Sequence, residues 1–188
     1  MSDNSVDQSG ATAGNKVVGR DDKSVTVYSG GNVHVRELVR KLDTEIASAK
    51  LRNNLIDSLQ FFEEPFAPDG VLGLEQKLAK SGQAEKIPMA VRHKEMFAKF
   101  LSKYALYGAA QELLALCLHR IHLEFETKVH PKCDDMSRSE LDEMILSDVI
   151  HCVVKEYGLG TFALNHGLVL GMTYWLAERC YVRWHAIQ

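Results

Sequence analysis

The stretch Gly171-Met172-Thr173-Tyr174-Trp175-Leu176-Ala177-Glu178-Arg179-Cys180-Tyr181-Val182-Arg183-Trp184 decides how this chain folds. It contains both tryptophans of the sequence, two tyrosines, a methionine and a cysteine. Residues near a terminus usually fray and remain polar unless the rest of the domain holds them. An apolar and aromatic stretch at this position is therefore expected to pack into a core or to dock on a partner.

The pattern within this stretch changes from helical to alternating. A helix is predicted to begin near residues 162–166 and to run through Trp175. From Cys180 to Trp184 the pattern of apolar and polar residues then alternates and includes β-branched and aromatic residues. This pattern predicts a short C-terminal strand.

From Arg36 onward the apolar residues recur at helical spacing, as Leu38, Leu42 and Ile46 do. Leu51, Leu55, Leu59 and Phe62 continue the same face, so the first helix either runs on or kinks near Ser48. Pro65 and Pro68 end it in a loop. Ser137 and Glu140 have the spacing of a capping box, which marks a later helix start. The sequence therefore predicts a mainly α fold, with a domain of about five to seven helices over residues 36–188.

The N-terminal region has a different composition. Residues 1–14 are rich in Ser, Asp, Gly, Ala and Thr, which predicts a disordered tail. Residues 15–35 contain short apolar alternations around a Gly-Gly-Asn turn, which predicts a β arm with hairpin character. A hairpin alone is marginal in water, so this arm is expected to mediate self-association or assembly through Val17, Val18, Val25, Val27, Tyr28, Val33 and Val35.

Composition excludes several classes of protein. The net charge of −3 over 188 residues is not that of a dedicated DNA-binding domain. The N-terminus lacks the apolar region of a secretory signal, and no apolar run approaches the roughly 20 residues of a membrane-spanning helix. The four cysteines never form a Cys-x-x-Cys pair and are interpreted as reduced thiols. We therefore expect a cytoplasmic protein with no membrane association.

Motifs that resemble catalytic sites are incomplete. Residues 14–19 mimic a phosphate-binding loop but are followed by Arg20-Asp21, without the required lysine and hydroxyl residue. His122-Leu123-Glu124 resembles part of a zinc deaminase motif but lacks its cysteine pair. His119, His122, His130 and Cys133 are the remaining metal candidates, and the three histidines support a small metalloenzyme only as an alternative. The sequence predicts a protein that is not an enzyme and has no cofactor.

Charges are distributed unevenly along the chain. Residues 134–148 contain six carboxylates and one arginine, whereas residues 77–103 are rich in lysine. Such faces are often simply solvated, but they also steer the docking of partners. The basic face supports an alternative function as a DNA-contacting accessory protein. Its candidate phosphate contacts are Lys77, Lys80, Lys86, Arg92, Lys94, Lys99 and Lys103.

The C-terminal stretch resembles the C-terminal domains of bacterial ABC-three-component, Lamassu-like, defence systems. Those domains end in a Gly-Met-x-Tyr-x-Leu helix followed by a Cys-x-(Val/Ile)-(Arg/Lys)-Trp strand. The matching residues here are Gly171, Met172, Tyr174, Leu176, Cys180, Val182, Arg183 and Trp184. Tyr181 stands where family members often have histidine.

The resemblance implies a non-enzymatic assembly subunit in antiphage or antiplasmid defence. Its implied partners are an SMC-like ABC ATPase and a nuclease effector, and any contact with DNA is expected to be indirect. No effector domain precedes the matching residues, so we expect a free-standing subunit. The residues expected to bind partners or hold the structure are Gly171, Met172, Tyr174, Trp175, Cys180, Arg183 and Trp184, with Arg183 as the polar docking contact.

Overall fold

A computed structural model describes residues 32–65, 67 and 70–185. Within these residues the fold is helical, which confirms the predicted mainly α class. None of the helices described combines the length and the apolar character needed to cross a membrane. The helices are α1 (Val33–Ala47), α2 (Asp57–Gln60), α3 (Gly73–Lys80), α4 (Ile87–Tyr104), α5 (Gly108–Glu124), α6 (Arg138–Met144), α7 (His151–Tyr157) and α8 (His166–Glu178).

Two turns of π-helix extend these elements. One, at Phe125–Val129, continues α5, and the other, at Ile145–Ile150, joins α6 and α7 into one continuous rod. Ser137 and Glu140 form the predicted capping box at the start of α6. π-Helical turns are rare and often occur at functional sites, and both of these lie close to the C-terminal residues.

Helix α5 forms the centre of the domain. It is apolar around most of its circumference, as expected of a helix enclosed by others. Helices α1, α2, α7 and α8 all pack against it. Its buried side chains include Leu113, Leu114, Cys117, Leu118 and Ile121.

Helices α4 and α8 approach each other closely because α8 has a glycine at the contact. A Cβ atom on Gly171 would lie 2.3 Å from the carbonyl oxygen of His93. The ring of Trp175 packs edge-on against Phe97, with their centroids 5.7 Å apart. The glycine therefore lets two backbones meet where any side chain would separate them.

The first helix is shorter than its apolar pattern suggests. It ends at Ala47, and the chain then follows an extended loop until the single turn of α2. The buried side chain of Gln111 holds this loop, because its Oε1 accepts a hydrogen bond from Ile56 N at 2.8 Å and its Nε2 donates to Asn54 O at 3.1 Å. The expected continuation of the first helix through Leu51 and Leu55, whether unbroken or kinked near Ser48, is therefore wrong.

The predicted β arm is wrong at its C-terminal end. Helix α1 already begins at Val33, and the Asn32 side chain caps it by accepting a hydrogen bond from His34 N. Val35 is buried in the helical core, whereas Val33 is exposed. Asparagine is among the best N-cap residues, which explains why the helix starts there. The 1–14 tail and the arm residues Val17, Val18, Val25, Val27 and Tyr28 lie outside the described residues.

The predicted C-terminal strand is not formed. Cys180 adopts a left-handed conformation with φ of 70°, and Tyr181 N donates to Leu176 O at 2.9 Å. These features are a Schellman ending of α8, which reverses the chain direction. Residues 181–185 then follow an irregular path, and the described part of the chain offers no strand with which they could pair.

Candidate interaction site

Residues 180–185, here called the C-terminal segment, cross the π-helical turn that follows α5. The ring of Trp184 packs edge-on against Phe125 at a centroid distance of 5.7 Å and lies 5.9 Å from the ring of Tyr174. Trp184 is almost completely buried. It therefore faces the core of its own domain rather than a free surface.

Arg183 is held inside the domain as well. Its side chain is only 10% exposed, and its Nε donates a hydrogen bond of 3.2 Å to His130 Nε2. A guanidinium nitrogen also lies 3.9 Å from the Glu126 carboxylate. The residue predicted as the polar docking contact is thus held by His130 and lies near Glu126 at the wall of a cleft.

Tyr181 ties the C-terminal segment to the loop after α2. Its hydroxyl lies 2.5 Å from the carbonyl oxygen of Phe61 and 2.8 Å from that of Glu64. Burial raises the pKa of Tyr181, and the nearby Glu64 carboxylate raises it further. The phenol therefore stays protonated, and its O–H is the hydrogen-bond donor to these carbonyl oxygens.

These contacts enclose one side of an open cleft of about 610 Å³. Burial lowers the pKa of His122, as do His119 and Arg183, whereas Glu126 raises it. A neutral imidazole thus joins aromatic rings and two carboxylates in the walls. The lining residues are Gln60, Phe61, Glu64, Pro65, His122, Glu126, Cys180, Tyr181 and Arg183.

A second and smaller cavity of about 250 Å³ lies beside Trp184 and the outer part of α8. An ion pair between Lys86 and Asp142, with an N–O distance of 2.5 Å, borders it. The C-terminal segment thus contributes walls to both cavities, Tyr181 and Arg183 to the first and Trp184 to the second. The other residues that line the second are Leu78, Gln83, Ile145, Leu146, Ile150, Leu170, Thr173 and Tyr174.

The structure divides the predicted phosphate contacts. Lys77 is buried, and its ammonium donates to Ala177 O at 2.9 Å. Lys86 pairs with Asp142, and Lys94 lies 3.4 Å from a Glu178 carboxylate oxygen. Each of these three lysines lies beside a helix end or a carboxylate, so its ammonium group makes its contact within the domain. Four of the predicted residues remain exposed, namely Lys80, Arg92, Lys99 and Lys103.

The three histidines of the metalloenzyme alternative each contact different residues. His119 stacks on Phe61 with centroids 5.6 Å apart, His122 lines the cleft, and His130 accepts the bond from Arg183. Within residues 32–65, 67 and 70–185, no three His, Cys, Asp or Glu side chains are grouped in a way that would hold a metal ion.

Several lining residues were not predicted from the sequence. Phe61, Glu64 and Glu126 line the first cleft, and Leu146 lines the second cavity. For the residues of the first cleft, the only indication from the sequence was the predicted loop around Pro65. Glu126 and Leu146 belong to π-helical turns, in which a side chain is displaced from the face that α-helical spacing predicts.

A comparison with protein families places these features in a known context. The model of CTD9, C-terminal domain 9 of the ABC-three component (ABC-3C) systems, matches residues 73–184. This range is more than half of the chain and runs from the start of α3 to Trp184. No curated protein and no solved structure matches the sequence.

Proposed function

Because this chain belongs to the family of C-terminal domain 9 of the ABC-three component systems, we propose that it is an assembly module of a bacterial antiphage or antiplasmid defence complex. In this proposal it docks an SMC-like ABC ATPase to a nuclease-type effector. The observation that carries the proposal is that the matched range includes Cys180, Tyr181 and Arg183, which form one wall of the 610 Å³ cleft.

The first cleft has the properties of a docking site for a protein segment. Phe61 is 51% exposed, although its ring packs on Tyr181 with centroids 5.4 Å apart. Aromatic side chains that are held rigidly beside a pocket are typical anchors of protein interfaces. The Glu64 and Glu126 carboxylates at the same cleft would favour a cationic or hydrogen-bond-donating group on the partner.

The proposed mechanism is differential binding. The walls of the first cleft come from the loop after α2, from α5 with its π-helical turn, and from the C-terminal segment. A partner that inserts there contacts all three parts at once. If one state of the ATPase fits this arrangement better than another, the difference in affinity shifts the assembly or release of the effector.

The proposal includes the absence of catalytic activity in this chain. Two of the polar groups at the first cleft have structural partners, as Arg183 has with His130 and Tyr181 with the carbonyl oxygens of Phe61 and Glu64. Purified protein with DNA, nucleotides and divalent metal should therefore show no turnover. Turnover that follows the protein through purification and disappears in His122→Ala would contradict this part.

The test of docking is recovery of the complex after coexpression with the ATPase and effector components. Phe61→Asp should abolish their recovery, because it places a charge at the apolar edge of the cleft. Leu72→Asp is the matched control, since Leu72 is 57% exposed but does not line the cleft. Circular dichroism would check that both variants fold. Equal recovery with both would contradict docking at this cleft.

The DNA-contacting alternative has its own readout. Retention of the isolated chain on DNA, decreasing steeply with salt and lost in an Arg92→Glu, Lys99→Glu double variant, would favour that function. Under the docking proposal, the isolated chain passes through a DNA column without salt-dependent retention.

A further inference from the structure

The carboxylate of Glu64 brings an unbalanced negative charge to the first cleft. The lining contains two carboxylates, Glu64 and Glu126, and the guanidinium of Arg183. Arg183 lies 3.9 Å from Glu126, so these two charges offset each other. Among the residues that the structure describes, Glu64 forms no ion pair. The cleft is consequently complementary to one positive charge from outside the domain.

An exposed aromatic ring accompanies this carboxylate. Phe61 precedes Glu64 by three residues and lines the same cleft. Its ring is fixed by contacts with Phe62, His119 and Tyr181, whose ring centroids lie 5.0, 5.6 and 5.4 Å away. Even so, 51% of Phe61 remains exposed. An aromatic ring attracts a cation through its π electrons, and the planar guanidinium of arginine also stacks on such a ring.

Two further lining groups are suited to hydrogen-bond donors. The amide nitrogen of Gln60 donates to Leu55 O at 3.2 Å, which leaves its carbonyl oxygen as an acceptor at the cleft. Burial lowers the pKa of His122, so at neutral pH its imidazole has a lone pair and adds no competing positive charge. A guanidinium has five N–H donors in a fixed plane, whereas an ammonium has three on a single nitrogen. These acceptors therefore favour arginine over lysine.

An acidic segment is a poor match for this cleft. The side chain of Arg183 is only 10% exposed, and its Nε already donates to His130 Nε2 at 3.2 Å. A carboxylate that entered the cleft would instead meet the Glu64 carboxylate. Like charges brought together in this way oppose binding.

From this charge and geometry we infer that the first cleft binds an arginine side chain of a partner protein, with its guanidinium against Phe61 and Glu64 and with adjacent apolar residues of the segment against Tyr181. The inference rests on the proposed function for the existence of a partner, and it adds the residue by which that partner is recognised.

The test is an NMR titration of the full chain, monitored through its backbone amide signals, with four synthetic peptides. The first is Ac-Gly-Leu-Arg-Leu-Gly-NH2, and in the others lysine, citrulline or glutamate replaces arginine. Citrulline has the shape of arginine without its charge. The arginine peptide should bind and shift the signals of the lining residues, and the citrulline and glutamate peptides should bind at least about tenfold more weakly. The lysine peptide should bind with intermediate affinity, because its ammonium does not stack as a guanidinium does.

Variants of the protein locate the binding. Glu64→Gln removes the charge and keeps the shape, so it should weaken the arginine peptide by about tenfold or more and leave the citrulline peptide unchanged. Phe61→Leu should also weaken the arginine peptide, since it removes the ring. Glu63→Gln is the matched control, because it makes the same change in net charge at a carboxylate that pairs with Arg179 at 3.2 Å and does not line the cleft. This control should bind the arginine peptide as the unchanged protein does, and the amide spectra show whether each variant is folded.

Four results would overturn the inference, namely no binding of the arginine peptide, equal binding of the citrulline or glutamate peptide, equal binding of the lysine peptide, and equal effects of Glu64→Gln and Glu63→Gln. Binding of free arginine as tight as that of the peptide would assign the cleft to a small molecule and would also overturn it. So would a rise in mass with concentration by light scattering that disappears in Glu64→Gln, because the occupant would then be a second copy of the chain.

The inference and the proposed function fail separately. If the arginine peptide never binds and Phe61→Asp still abolishes recovery of the complex while Leu72→Asp does not, only the inference fails. If the arginine peptide binds through Glu64 but the ATPase and effector are recovered equally with Phe61→Asp and Leu72→Asp, only the proposed docking of those components fails, and the arginine belongs to another partner.

Discussion

The buried ammonium of Lys77 donates a 2.9 Å hydrogen bond to the carbonyl oxygen of Ala177, in the last turn of α8. In the opposite direction, the Glu178 carboxylate accepts a hydrogen bond of 2.9 Å from Leu74 N, at the start of α3. Each helix thus supplies the charge that the end of the other favours, a cation at a C-terminus and an anion at an N-terminus.

Lys77→Ala should destabilise the domain by about 1.5–3 kcal/mol, the usual range for a hydrogen bond to a charged group. The Ala177 carbonyl would lose this donor in a buried place. Urea unfolding would measure the change in the free energy of unfolding. Lys80→Ala, three residues along the same helix but exposed, should change it little, and an equal effect of both variants would contradict the role assigned to Lys77.

The carboxylate of Glu178 should make stability depend on pH in the acidic range. Burial raises its pKa, but the Leu74 amide and the Lys94 ammonium outweigh this effect, so the folded pKa lies below the ordinary 4.5. A depressed folded pKa stabilises the native state above the unfolded pKa, and this contribution disappears as pH falls through the folded value. Urea midpoints of the unchanged protein and Glu178→Gln should therefore differ at pH 6 and converge on acidification below 4.5. A constant difference would contradict the assignment.

Gly171→Ala should destabilise the domain by about 1–3 kcal/mol through overpacking, because its Cβ would lie 2.3 Å from the His93 carbonyl oxygen. Gly167→Ala in the same helix is the control. Its Cβ would meet Met96 Cε and Asn165 Oδ1 at 3.3 Å, and the flexible methionine is able to move. Alanine also has the better helix propensity. In thermal unfolding, the melting temperature of Gly171→Ala should lie well below that of Gly167→Ala. The reverse order would refute the close approach of α4 and α8.

Ala49→Gly should stabilise the domain by about 0.5–1 kcal/mol, because a left-handed conformation costs a residue with a Cβ about 1–2 kcal/mol and the greater backbone entropy of unfolded glycine offsets part of that gain. Ala49 is exposed with φ of 50°, and it follows α1 in a Schellman ending in which Lys50 N donates to Glu45 O at 2.9 Å. Glycine is the usual residue at this position because it has no Cβ to clash. Ala47→Gly, two residues earlier and still helical, should instead lower the melting temperature. If both substitutions lower it, Ala49 is not left-handed in solution.

Trp184→Ala should reduce stability by about 3–5 kcal/mol, a large part of the margin of a single domain. The reason is the loss of its ring contacts with Phe125 and Tyr174. Calorimetry would measure the loss, and truncation after Arg179 should have an effect at least as large. Unchanged thermal stability in both proteins would overturn the structural role of the C-terminal segment.

Much of the fold was predictable because helices depend on local patterns. The periodic apolar residues and the Ser137 capping box indicated the helical class, and the composition of the last stretch indicated that it packs. The interaction site was less predictable. Its aromatic edge at Phe61 and its acidic wall at Glu126 are brought to the C-terminal segment from residues more than fifty positions away.

The sequence by itself determined that this chain is a helical domain whose Gly171 to Trp184 stretch is part of its structure, because propensity, capping and apolar spacing act between residues a few positions apart. Only the tertiary structure decided that the chain turns back at Cys180 instead of entering a strand, and that Lys77 donates a hydrogen bond to a helix end rather than to a phosphate. Both outcomes depend on which distant groups are near. Alternating residues become a strand only beside another strand, and a lysine is left as a surface charge only where no carbonyl oxygen is placed to accept a hydrogen bond from its ammonium group.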